Sequence, residues 1–346
     1  MRTETSSSGT VSPTGKLRPV NLRTDLAPLA DLIELVFAPT MDDSGRAAIR
    51  DMRAMSRAGI GGVLLTRLNE LAMGISMGFV WVEHGQLVGN VSLYPARWPR
   101  SAGDAWIIAN VAVHPDYQHR GIARRLLDHS IKAIREKGST DAILQVDSDN
   151  ERAITIYERM GFIRERAFTS WGRSSLVNPP PPPETEAFIT RRRPSEWQAE
   201  YALAQRVRPA ERGGVGWLKP LDESLFRPSL WQQVVDWFTR GGLERMVARA
   251  DSAPESELLA SLWIETGLAA LRIRMNLLVA PEHVQYGAAL LETTLRRFRS
   301  SAFIVEHPED DEVVDALLRR LRFRPHRTVW HMRLPLSPES SLYGTH

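Results

Sequence analysis

The residues best placed to do chemistry lie in two short stretches. The first is Val111 to Leu127, VAVHPDYQHRGIARRLL, in which an apolar strand ends near Pro115 and a helix begins around Gly121. Gln118-x-x-Gly121-x-Ala123 sets small residues where a backbone must come close to something. Glycine tolerates unusual dihedrals, and alanine intrudes little. The first turn of a helix leaves N–H groups unpaired, and its macrodipole presents roughly +0.5 charge there. Together these features make a cradle for a pyrophosphate, and Arg120, Arg124 and Arg125 add positive charge nearby. The second stretch is Asn150-x-x-Ala153-x-x-x-Tyr157-x-x-x-Gly161-Phe162, which follows another apolar strand. Ala153, Tyr157 and Gly161 recur every fourth residue and so share one helical face. Asn150 is suited to cap that helix, with an amide that can also reach a ligand. A tyrosine on such a face usually packs with its hydroxyl satisfied; lining a cleft beside a phosphate cradle, it is a candidate catalytic hydroxyl.

Elements of alternating type must position these stretches. Leu17–Leu22 reads as a strand, and Leu26–Phe37 and Ser44–Arg57 carry helical apolar spacing. Gly78–Glu83 and Gln86–Tyr94 read as two strands joined across His84-Gly85, a hairpin by pattern. Trp106–Val113 is a third strand and Gly121–Lys137 the helix after it. Asp141–Val146, Glu151–Met160 and Phe162–Trp171 then read as strand, helix and strand.

The two motifs in this order resemble the GNAT superfamily of acetyl-CoA-dependent N-acetyltransferases. The likeness covers Leu17 to Arg173. It implies a mixed α/β sheet in which the backbone of Val111, Ala112 and Val113 bonds the pantetheine arm of acetyl-CoA. The N–H groups of Gln118, His119, Arg120, Gly121, Ile122 and Ala123, with Arg124, would hold the pyrophosphate, and Asn150 would meet the cofactor arm. Tyr157 matches the general acid, which gives its proton to the departing thiolate; a phenol of pKa near 10 does this without standing ionised at neutral pH. Direct attack by a neutral primary amine in a ternary complex follows, with small-molecule or peptide amines as acceptors. One departure is plain: the strand from Trp106 to Val113 has no carboxylate to serve as base. Glu83 and Asp147 are the alternatives, each weighed against an ordinary surface or capping role.

Five consecutive prolines, Pro179 to Pro183, divide the chain. They favour stiff polyproline II and read as a spacer. The expected organisation is a polar tail over 1–16, a catalytic GNAT domain over 17–173, a Pro-rich linker over 174–186, a second domain over 187–336 and a tail over 337–346. The order of elements returns after the linker, with Phe188–Arg193 as a strand, Ser195–Val207 and Leu230–Arg240 as helices, and Arg245–Arg249, Leu258–Glu265 and Ala269–Val279 as strands. Glu282–Arg299, Ala302–Glu306, Glu312–Arg322 and Thr328–Leu336 complete it as helix, strand, helix and strand. Asn110-Val-Ala-Val-His-Pro115 can be laid on Asn276-Leu-Leu-Val-Ala-Pro281, and Gly121 falls on Gly287 at the same spacing. This arrangement resembles tandem GNAT proteins with an eroded second copy. Val284 stands in place of Gln118, Tyr286 of Arg120 and Leu318 of Tyr157, so catalysis is not expected there. Gly287 and Ala289 survive, which leaves weak cofactor binding conceivable.

Composition closes off other classes. The 346 residues are 43% hydrophobic and 25% charged, with net charge +3 and no cysteine. Disorder of the whole chain, disulfides, thiolate metal sites and a cysteine nucleophile are excluded. No apolar run approaches the roughly 20 residues of a membrane span, and the polar N-terminus lacks a secretory core. No nucleic-acid motif or basic stripe is present, and the nine histidines show no metal-ligand spacing. A cytoplasmic monomer or homodimer, without metal, is expected. Tryptophans 197, 217, 231, 237 and 263 are expected to build the second core and an interdomain contact, with one or two available to line an acceptor pocket.

Overall fold

The computed structural model describes residues 14–39, 41, 43–57, 77–96, 98–227, 242–253, 256–266 and 272–336. The helix expected at Leu230–Arg240, with Trp231 and Trp237, lies outside them. The chain divides into two compact units: residues 1–96, 104–144 and 335–346, and residues 97–103 and 145–334.

In the first unit, β1 (Lys16–Pro19) leads to α1 (Leu26–Phe37) and α2 (Asp43–Arg57), then to β2 (Met77–Glu83), β3 (Gln86–Pro95), β4 (Ala105–Val113), α3 (Ile122–Glu136) and β5 (Asp141–Asp147), which belongs to this unit through Leu144. The strands lie in the order β1-β2-β3-β4-β5. The first strand is shorter than its apolar run, ending at Pro19, where a backbone donor is lost. Helix α1 buries Leu26, Leu29, Ala30, Leu32 and Ile33, the face its spacing defines. Its N-terminus is tied to β1 by Arg18, which donates to both oxygens of Asp25 at 2.6 and 2.8 Å. The β2–β3 turn places His84 at φ 51° and Gly85 at φ 79°, the paired left-handed geometry of a tight hairpin. Helix α3 buries Ile122, Leu126, Leu127, Ile131 and Ile134. It packs so closely on β3 that a Cβ at Gly89 would lie 2.9 Å from Ile122 Cγ2.

The second unit holds α4 (Glu151–Arg159), β6 (Ile163–Arg173), β7 (Phe188–Arg191), α5 (Trp197–Val207), α6 (Glu223–Phe226), β8 (Gly242–Arg249), β9 (Ala260–Thr266), β10 (Arg272–Val279), α7 (Val284–Arg297), β11 (Ala302–Pro308), α8 (Glu312–Arg320) and β12 (Arg324–Pro335), the last through Leu334. Its strand order is β12-β6-β11-β10-β9-β8-β7. Thus β6, which precedes the proline run in sequence, lies antiparallel between the two strands that close the chain. The proline segment is not loose: Pro180 O accepts from Arg296 Nη1 at 3.1 Å, and Asn178 O from Arg173 Nη2 at 2.6 Å. The main core joins Trp171 to Leu262, Met275, Leu277, Leu291, Phe303 and Phe323. A smaller one gathers Leu203, Phe226 and Trp263, with Trp197 against it.

The repeated order is carried into local detail. Asn150 caps α4 by accepting from Ala153 N at 3.1 Å, and Asp311 caps α8 by accepting from Val314 N at 3.2 Å. Both helices end on a left-handed residue before a buried phenylalanine, Gly161 (φ 91°) then Phe162 and Arg322 (φ 62°) then Phe323.

Two histidines of this unit are buried as neutral rings. His331 stacks on Phe168 at 4.5 Å and meets Gln145 at 2.9 Å. Burial pushes His331 down to about 3 and His307 to about 4, from ordinary values near 6.5. Both folded values are depressed, so the unfolded chain binds protons first as pH falls. Stability present above pH 6.5 is lost progressively between 6.5 and the range of 3–4. Unfolding free energies from urea titrations at pH 7.5, 6 and 5 should fall by at most about 1.4 kcal/mol per pH unit for each histidine. A midpoint unchanged down to pH 5 would refute this.

Candidate cofactor site

The Val111–Val113 segment ends a strand whose two edges differ. On one side β4 pairs with β3, with a register shift between Asn90 and Ser92 where Asn110 takes φ 49°. Asn90 Nδ2 donates to Asn110 O at 2.9 Å and holds this bulge. On the other side β4 pairs with β5 only over Ala105–Ile107. From Ile108 onward that edge has no strand partner among the described residues. An extended polar arm can therefore bond to it as an added strand would.

Beyond β4 a 3-10 turn (Pro115–Tyr117) leads into the loop. Gln118 Nε2 donates back to Val113 O at 3.2 Å, which ties the loop to the strand end. His119 and Gly121 take φ 62° and 76°, a backbone of the kind from which anion-binding concavities are built. Gly121 is the N-cap of α3 with no side-chain cap, and the first helical bond runs from Arg125 N to Gly121 O at 3.1 Å. The amides of Gly121, Ile122, Ala123 and Arg124 consequently have no partner within the helix. A Cβ built at Gly121 would meet nothing within 4 Å, so the space beside this N-cap is open. The residues fit a diphosphate.

The arginines are arranged differently from the sequence expectation. Arg120 turns to the hairpin: Nη2 donates to Asp116 O at 2.9 Å, Nη1 lies 3.4 Å from Glu83 Oε1, and its guanidinium sits 4.8 Å from the Tyr117 ring centre. Arg125 lies over Trp81, and Arg124 remains exposed beside Asp128. Of the three, Arg124 is the exposed charge at the helix start, and Arg120 instead ties the loop to the hairpin. Glu83 is not a surface residue. It is 4% exposed and also accepts from Trp81 Nε1 at 3.3 Å, a role that its place beside a hairpin turn does not reveal. It borders a polar recess of about 460 Å³ with His84, His114 and Tyr117.

Asn150 and Tyr157 belong to the second unit. The Asn150 side chain caps α4 through Oδ1. Tyr157 is 8% exposed, its ring edge-on to Phe162 at 5.7 Å. Burial pushes its phenol up to about 12, and its hydroxyl has no hydrogen-bond partner among the described residues. It holds a proton at every physiological pH. Asp147 is ion-paired with Arg327 at 2.5 Å.

The corresponding helix of the second half starts differently. Helix α7 starts at Val284, so Gly287 lies inside it, and a Cβ there would come within 3.2 Å of Val279. Gly287 thus packs closely on Val279, and Ala289 is buried.

Residues 52–162 match the model of the Acetyltransferase (GNAT) family. The chain carries a GNAT domain. The chain is 34% identical over 76 residues to a mycothiol acetyltransferase of Geodermatophilus obscurus, 22% of this chain and 24% of that protein. It is 41% identical over 59 residues to the [ribosomal protein bS18]-alanine N-acetyltransferase of Escherichia coli (strain K12), 17% of this chain and 40% of that one. The matches thus span well under half of either relative. In fold, the whole chain is similar to a tandem GNAT protein from the clavulanic acid biosynthesis pathway, with TM-score 0.51, 16% identity and coverage of 94% of this chain and 99% of that one. No group of three or more metal-ligating side chains occurs among the described residues, and none of their helices is long and apolar enough to cross a membrane.

Proposed function

We propose that this chain is an acetyl-CoA-dependent N-acetyltransferase whose first copy, over 17–173, is catalytic and whose second, over 187–336, is degenerate. The reading rests on one observation above all: a β4 edge without a strand partner among the described residues, leading through a left-handed glycine into a helix with no side-chain cap. Val111 to Val113 bond the pantetheine arm with their free edge. The amides of Gly121 to Arg124, with the loop from Gln118 to Arg120, hold the pyrophosphate against the helix dipole. When bound, acetyl-CoA supplies an acetyl group activated as a thioester. Asn150 orients the arm, and Tyr157 Oη holds the proton that the departing thiolate needs. The acceptor is a primary amine of a small molecule or a peptide, the two classes named for the relatives above.

One observation favours a second reading, an acyl-CoA sensor or scaffold. No carboxylate stands on β4, and both substitutes for a base are already engaged, Glu83 with Arg120 and Asp147 with Arg327.

Calorimetric titration with acetyl-CoA, followed by a free-thiol assay over an amine panel, separates the readings. One site per chain with acceptor-dependent thiol release supports the enzyme; binding without release supports the sensor; absence of binding removes both. Gly121→Val forces a β-branched residue into left-handed geometry and covers the amides. We expect its affinity to fall at least tenfold, a loss of about 1.4 kcal/mol.

A further inference from the structure

The equivalence of the copies sets Leu277 where Val111 stands, and Asp311 where Asn150 stands. Strand β10 pairs in parallel with β11 from Arg272↔Ala302 to Met275↔Val305 and no further. The strands then part, as β4 and β5 do after Ile107. In this second gap lies the guanidinium of Arg208, from the end of α5. Its Nη2 donates to Leu277 O at 3.2 Å on one strand and to His307 Nδ1 at 3.1 Å on the other. Its Nη1 donates to Val207 O at 3.0 Å. With Nδ1 accepting, the His307 proton sits on Nε2 and points to Asp311 Oδ2 at 2.9 Å. The residue is 1% exposed and His307 fully buried. Arginine is among the side chains least often found so deep; here Nη1 and Nη2 are both matched, while Nε has no partner among the described residues.

We infer that Arg208 is the resident occupant of the second cleft, a covalent stand-in for the cofactor arm. Its fork takes the Leu277 carbonyl that the arm would take in a working copy, and His307 and Asp311 lock it from the far strand. The second cleft is therefore closed by the chain itself. This inference rests on the reading of the first cleft as a pantetheine site.

Hydrogen–deuterium exchange on the full chain, with and without acetyl-CoA, tests it. Peptides over 111–124 should gain protection while those over 275–290 stay unchanged; added protection over 275–290 would overturn the inference. If neither region responds, the reading of the first cleft fails, and a second arm decides this one. Arg208→Ala opens a guanidinium-sized cavity lined by Leu277 O and His307. Millimolar methylguanidinium should raise the melting temperature of that variant by a few degrees and leave the parent chain unmoved. Where Arg208→Ala does not fold unaided, its refolding yield with and without methylguanidinium is the readout. No rescue in either form would overturn the assignment.

Discussion

Tyr157→Phe is expected to lower turnover by about 10²–10⁴-fold, the range in which a positioned general acid contributes, with acetyl-CoA affinity nearly intact. The change removes one oxygen from a ring that is 8% exposed and packed on Phe162, so the shape of the site survives. The hydroxyl makes no hydrogen bond among the described residues, and so its loss leaves no buried partner unsatisfied. Burial keeps the phenol protonated up to about 12, which excludes any role as a standing base near neutral pH. Steady-state thiol release and calorimetry on the same preparation check the prediction. Parallel loss of turnover and affinity would mean that Tyr157 is a packing residue.

The second large effect concerns stability. Glu200 is fully buried, and both of its oxygens are engaged. Oε2 lies 2.9 Å from Arg245 Nη1 and 3.0 Å from Arg192 Nε, while Oε1 accepts from Ser261 at 2.6 Å and Trp263 at 2.7 Å. The Arg245 guanidinium also stacks on Trp263 at 3.9 Å. Glu200→Gln keeps the volume but leaves two guanidiniums sharing a dry site without their counter-charge. Breaking one side of such a buried network costs about 3–5 kcal/mol. Glu257→Gln is the control, because its pair with Arg206 is exposed on both sides and is worth about 0–1 kcal/mol. Denaturant midpoints of the two variants should therefore differ widely; equal midpoints would show that water reaches the Glu200 cluster.

Periodicity made the elements of the chain readable in advance. Leu26–Phe37 is a helix over those same residues because five apolar positions recur on one face. The hairpin at His84-Gly85 and the left-handed start of α3 at Gly121 follow from residue types that permit positive φ. What the pattern did not carry was pairing across long separations. Arg208 reads as one more exposed arginine at a helix end, and only the gap between β10 and β11 makes it a buried donor. Glu83 reads as a candidate base or a surface or capping residue, because its partners, Trp81 and Arg120, meet it through a hairpin and a distant loop. The four-residue helix α6 is too short to show a period at all.

The insertion of β6 between β11 and β12 has a consequence for how the chain can be divided. Thr169 and Thr328, 159 positions apart, share a hydroxyl hydrogen bond of 2.9 Å in that ladder. Cutting the chain at the proline run would strip β6 of both neighbours at once, leaving its N–H and C=O rows bare on either side. The part of the chain before the proline run cannot keep β6 in this ladder when expressed alone, and the ladder cannot close until β12 has been synthesised. The half after the proline run is therefore needed by a strand that lies before it, whatever chemistry either half performs.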